Sequence, residues 1–109
     1  MPITPRIKVE TPVADTDTSF NVTLAVAATA QDLVLVPATK VGRAVSLVNE
    51  GPGVVALAFD ATATIADFRL EEGDAYDEHD LELTTKISFI NITPAALPRI
   101  RGILWSGIP

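Results

Sequence analysis

Short apolar runs of period two, each cut off by proline, glycine or an acidic turn, fill residues 21 to 106 and leave the chain few ways to fold. Val22, Leu24, Val26 and Ala28 alternate with Thr23, Ala25, Ala27 and Thr29, giving a strand with one greasy face. Leu33 to Val36 is apolar on both faces and is stopped by Pro37. Arg43 to Asn49 and Val54 to Phe59 read as the two arms of a hairpin around Glu50-Gly51-Pro52-Gly53. On the second arm Val55, Leu57 and Phe59 form a face of large residues. Val54, Ala56 and Ala58 leave room for a close neighbour on the other face.

Further strands are expected at Phe68 to Leu70, Leu81 to Leu83, Lys86 to Ile92 and Arg99 to Trp105. No window carries a helical period, although residues 61 to 67 and 93 to 98 have room for a single turn. Seven or eight short strands predict an all-β chain, either an antiparallel β-sandwich or a jelly-roll-like barrel.

Residues 1 to 20 break this pattern. They hold three prolines and no period long enough to fold alone, so they are expected to form an extended N-terminal arm ahead of a β-sandwich domain at 21 to 109. An arm of this kind frays unless something ties it down. The expectation is that it lies across a neighbouring chain as an added strand. Ile3, Ile7, Val9 and Val13 would then enter side-chain pockets while the backbone pairs with a sheet edge.

Composition points the same way. Hydrophobic residues make up 48% of the chain and charged ones only 20%. Apolar surface should therefore remain once the core of so small a domain is filled, and association is the usual way to cover it. Fourteen acids against eight bases give a net charge of −6 with no cluster of basic residues, which argues against nucleic acid as partner. With no cysteine, disulfides, thiolate metal sites and cysteine nucleophiles are excluded. No basic segment is followed by an apolar run at the N-terminus, and no apolar run approaches the ~20 residues of a membrane span. A soluble product made in the cytoplasm is expected, with no membrane partner.

Little in the chain suggests catalysis. Glu71, Glu72, Asp74, Asp77, Glu78, Asp80 and Glu82 crowd around the single histidine, His79. Their spacing fits no calcium loop, because the glycine precedes the acids and no acid stands at the bidentate position. A solvated, solubilising loop is the simpler reading. One histidine without nitrogen or sulfur companions makes no transition-metal site. Ser19, Ser46, Ser88 and Ser106 lack a nucleophile elbow. Gly42 and Gly51-Pro52-Gly53 lie between strands, where a phosphate loop would need a helix and a lysine. Paired carboxylates for glycoside hydrolysis remain open by spacing, but aromatic residues are too few for a sugar platform. The chain is therefore read as a non-enzyme without cofactor or metal. Trp105 shares a strand face with Ile103, Arg101 and Arg99, and that face is either a core rim or an interface anchor, since tryptophan and arginine concentrate where proteins meet.

Three segments share a recognisable grammar. They are the run from Val45 to Phe59 through Asn49-Glu50-Gly51-Pro52-Gly53, the corner Phe68-Arg69-Leu70-Glu71-Glu72-Gly73-Asp74 with its partner Ile87 to Ile90, and the closing Ile100-Arg101-Gly102-Ile103-Leu104-Trp105. Together they resemble the small all-β virion structural proteins of tailed bacteriophages. The resemblance implies a capsid decoration (cement) protein that stabilises a phage head and acts in the virion. Its partners would be the major capsid protein or another virion protein, together with further copies of itself, a homotrimer being the expected form. The resemblance transfers no functional residue by motif; the contacts would come from the arm and, on the strand-face reading above, from Arg99, Arg101 and Trp105. The alternative implied is a tail or head-fibre component that acts as a binding module for a glycan or receptor.

Overall fold

The first strand pairs with the last, the second with the seventh, the third with the sixth and the fourth with the fifth. This nesting defines the molecule, a computed structural model that describes residues 14–26, 28–93 and 95–109. The strands are β1 (Thr16–Thr23), β2 (Gln31–Leu35), β3 (Val41–Gly51), β4 (Val55–Phe59), β5 (Phe68–Leu70), β6 (Ala75–Glu78), β7 (Lys86–Asn91) and β8 (Arg99–Gly107). They form two four-stranded antiparallel sheets. The front sheet runs β1-β8-β3-β6 and the back sheet β2-β7-β4-β5. Every connection except that between β4 and β5 passes from one sheet to the other. A long hairpin wrapped into two layers in this way is a jelly roll, one of the two all-β forms expected.

The core lies between the layers, where alternate residues of each strand point inward. Val45 and Leu47 of β3, Val55 and Leu57 of β4, Ile87 and Phe89 of β7, and Ile100 and Leu104 of β8 are all buried there. Phe20, Val22 and Tyr76 close its margins. The expectation for β3 and β4 is corrected. They are not neighbours in a hairpin but face each other across the core in different sheets. Glu50-Gly51-Pro52-Gly53 is a corner between layers. Stacking two strongly one-sided strands face to face buries both apolar faces at once, whereas pairing them side by side leaves those faces needing a further cover.

The corner is held by Asn49, which is fully buried. Its side-chain amide donates to the carbonyls of Gly53 at 2.9 Å and of Leu70 in the back sheet at 3.0 Å, and its oxygen accepts from the Gly51 N–H at 2.8 Å. Asn91 does the same at the end of β7, donating to the Ala96 carbonyl and accepting from the Thr93 N–H. Gly53 sits between these two turns with φ +98°, and a Cβ on it would meet Thr93 Cβ at 2.9 Å. At the opposite end Asp60, with φ +56°, ties the exit of β4 to the start of β7. One of its oxygens accepts from the Thr84 N–H and hydroxyl. The other accepts from the N–H groups of Thr85 and Lys86 and from the Thr85 hydroxyl.

Other expectations shift in detail. The first strand runs Thr16–Thr23 rather than starting at Val22, so residues 16 to 20, assigned to the arm, belong to the front sheet. Leu24 just beyond it is buried, but Val26 is exposed. Leu81 to Leu83 forms no strand, and only Leu83 makes an isolated bridge to Gly42. β6 lies inside what reads as an acidic loop. Segments 61–67 and 93–98 hold hydrogen-bonded turns, from Asp67 N–H to the Thr64 carbonyl and from Ala96 N–H to the Thr93 carbonyl, rather than helix. The room foreseen beside Ala56 and Ala58 is filled: Ala56 packs with Ile90 and with Ala63 of the β4–β5 connection on the outer side of the back sheet. The Ala63 N–H donates to the buried Ser88 hydroxyl.

Candidate functional site: the outer face of the front sheet

The two sheets differ in how their outer sides are treated. The back sheet has its own small cluster under the β4–β5 connection, while no such buried cluster forms on the outer side of the front sheet among the described residues. That outer side is built by parity. In β8, Ile100 and Leu104 face the core, which turns Arg99, Arg101, Ile103 and Trp105 outward. In β3, Val45 and Leu47 face the core, which turns Ala44, Ser46 and Val48 outward.

Register then sets the neighbours. Trp105 lies between Asp17 of β1 and Ala44 of β3. Ile103 lies between Ser19 and Ser46, and Ser46 in turn pairs with Asp77 of β6, its hydroxyl donating to the carboxylate. Arg101 lies between Asn21 and Val48, with Ala75 beyond. The β3–β8 register slips between Asn49 and Gly51, which leaves Glu50 as the extra residue of a bulge. Glu50 forms an ion pair with Arg101, whose side chain remains 61% exposed. The pair orients the guanidinium over the sheet; at such exposure it adds little to stability.

The result is a half-buried Trp105 and Ile103 on the central strand, set among small residues and flanked by Arg101. Shallow troughs of about 420 and 310 Å³ lie on either side of the Arg101–Ile103 ridge. Gly102 beneath the ridge brings the strands close, because a Cβ there would fall 2.2 Å from the Ser46 carbonyl oxygen. An aromatic anchor, an aliphatic neighbour and an oriented guanidinium, with charge kept to the margin, have the composition of a protein–protein contact.

The structure thus brings together Arg101 and Trp105 on one surface. Arg99 lies further along the same strand, beside Thr23 at the margin. Ile3, Ile7, Val9 and Val13 lie outside the described residues. The β3 contribution, Ala44, Ser46, Val48 and Glu50, is absent from the sequence reading. Its alternation was visible, but not its pairing with β8.

The acidic segment does not act as one group. Asp74 accepts from the Glu71 N–H to close a turn, Asp77 takes the Ser46 hydroxyl and Glu78 takes the Tyr76 hydroxyl. Burial, and then the hydrogen bond and charge of Glu78, raise the Tyr76 phenol above its ordinary range. Partial burial pushes the Asp60 carboxyl up, but the N–H groups of Thr84, Thr85 and Lys86 outweigh it and hold the group far below the usual carboxylate range. Asp60 is occupied in holding the fold and has no free reach for chemistry. No group of three or more His, Cys, Asp or Glu side chains placed to hold a metal ion occurs among the described residues. Among the described residues, no helix is long and apolar enough to cross a membrane.

Fold and surface together define a jelly-roll module whose front sheet carries Trp105, Ile103 and Arg101 on its outer face. Comparison with protein-family models, with curated proteins and with solved structures found no match to the chain.

Proposed function

We propose that this chain is a non-enzymatic structural subunit of a tailed-phage virion, a decoration protein that stabilises the head by docking the outer face of its front sheet on a neighbouring virion protein. The observation that carries the reading is the central strand β8, which presents Trp105, Ile103 and Arg101 on a sheet face that has no covering cluster among the described residues. Viral capsid domains are among the users of the eight-stranded jelly roll, and this supports the reading only as analogy, since one fold hosts many functions. The virion-protein resemblance of residues 43 to 106 supplies the particular setting. Repetition over a shell would multiply a modest contact into firm attachment.

The test is reconstitution on phage heads that lack the protein, with bound copies counted by gel densitometry. Trp105→Ala should weaken binding roughly 30-fold, the effect of losing about 2 kcal/mol at a contact centre. Deletion of residues 1–13 should weaken it separately. The cut must end there, because Asp15 already bonds to Ser106 and β1 starts at Thr16. Heads that bind Trp105→Ala and the truncated chain as well as the wild type would overturn the proposal.

A further inference from the structure

Three of the four sheet edges are blunted against pairing with another chain. β2 is interrupted by a register slip between Asp32 and Val34 and is followed two residues on by Pro37. β5 has three residues and β6 has four, two of them acidic. Short edge strands, bulges, prolines and charges are the usual defences of a free edge. β1 is neither short nor broken by a bulge or a proline, and its single charge, Asp17, is the least of these defences. It runs for eight residues, Thr-Asp-Thr-Ser-Phe-Asn-Val-Thr, in unbroken register with β8, with no proline, no glycine and no lysine.

The ladder with β8 fixes which backbone groups point away from it. Leu24 N–H bonds to the Pro98 carbonyl, in step with the β1–β8 register, so even-numbered residues of β1 form its hydrogen-bonded pairs with β8. The N–H and C=O groups of Asp17, Ser19, Asn21 and Thr23 therefore face outward. Among the described residues, none of them has a hydrogen-bond partner.

We propose that this edge is a two-fold interface at which β1 of a second copy of the chain pairs antiparallel, joining two front sheets into one continuous eight-stranded sheet. The strand is self-complementary in one register. Ser19 pairs with Asn21 of the second copy and Asp17 with Thr23, so that all four outward-facing residues of each strand form hydrogen-bonded pairs. On the inner side Phe20, half-buried at the core margin, meets its own symmetry mate on the axis. Charge agrees as well: Asp17 is the only charge on the strand, and it enters the row occupied by Thr23 and Arg99 of the other copy. No like charges oppose each other. The inference goes beyond the virion reading and does not depend on it. A failure to dimerise leaves the head-binding experiment untouched, and the reverse also holds.

The experiment uses the full chain and exploits its lack of cysteine. Sedimentation equilibrium up to a few hundred micromolar should approach twice the 11.5 kDa chain mass. Ser19→Pro removes only an outward N–H, so it should keep the β-sheet circular dichroism and return the mass to that of one chain. Register is read by oxidative cross-linking. An equimolar mixture of Ser19→Cys and Asn21→Cys should cross-link at least tenfold faster than either alone. The mixed pair sits about 5.5 Å apart between Cα atoms, within disulfide range, while like pairs are displaced two residues along the strand. A monomer at the highest concentration would overturn the proposal. So would a dimer that tolerates Ser19→Pro, or one in which the mixture cross-links no faster than the single variants. If Ser19→Pro fails to fold, the cross-linking rates decide alone.

Discussion

Asn49→Ala is the sharpest probe of the corner that sends the chain from one sheet to the other. The wild-type side chain is fully buried and makes three hydrogen bonds, to the Gly51 N–H, the Gly53 carbonyl and the Leu70 carbonyl. Truncation strands a buried donor and a buried acceptor, each costing about 1 kcal/mol or more, and a part-buried carbonyl costing somewhat less. With the small void left behind, the loss is roughly 3–4 kcal/mol. At about 4 °C per kcal/mol for a domain near one hundred residues, the melting midpoint should fall by roughly 12–16 °C. Differential scanning calorimetry and urea unfolding at 25 °C measure this directly.

Asn49→Asp sharpens the test by retaining an acceptor for Gly51 while setting a carboxylate against two carbonyl oxygens. Near neutral pH it should be less stable than Asn49→Ala. Burial and the carbonyls raise its folded pKa above the unfolded value of about 3.9. Its deficit should shrink as pH falls through that raised value, because the neutral acid can donate to one of the carbonyls. A midpoint change of less than about 4 °C for Asn49→Ala, or equal stability of both variants at pH 7, would refute the account of the corner.

Asp60→Ala should cost about 2 kcal/mol in urea unfolding, a figure held down by the exposure of the carboxylate. Because the folded group titrates below its unfolded value, its contribution is complete above about pH 4 and fades as pH drops further; the gap between wild type and Asp60→Asn should close there. Gly102→Ala places a methyl 2.2 Å from the Ser46 carbonyl oxygen and should destabilise by about 1–3 kcal/mol, read as a lowered melting midpoint. Tyr76 should ionise above pH 10 in a spectrophotometric titration, and Glu78→Gln should bring the transition down towards the ordinary value.

Strand content was legible because side-chain alternation is a local property. The two faces of β8, Ile100 and Leu104 on one and Arg101, Ile103 and Trp105 on the other, separate without knowledge of any partner, but only the packing shows that the first is interior. Pairing is different. Glu50-Gly51-Pro52-Gly53 has the length and glycines of a hairpin loop, and nothing within it shows that β3 and β4 stack rather than pair. The decisive groups are Asn49 and Leu70, which stand far apart in the chain and meet only in the folded molecule. β6 was hidden for a related reason. Ala-Tyr-Asp-Glu has no apolar alternation to report, and it becomes a strand because Val45 to Val48 offer it a ladder. The outer face of the front sheet was half visible: β8 placed Arg101 and Trp105 on one face, whereas Val48 and Ala44 join them only through a strand register that spans much of the chain.

The latest in sequence of the eight described strands is also the one that sits between two earlier ones, since β8 separates β1 from β3. Until residues 99 to 107 are available, those two strands have no shared neighbour, and Val45 and Leu47 lack Ile100 and Leu104 from their common core. Completion of the front sheet therefore depends on contacts between strands far apart in sequence, which slows folding. A stop codon placed just before residue 99 would remove a keystone rather than a fringe, and would leave a sticky, half-built sandwich.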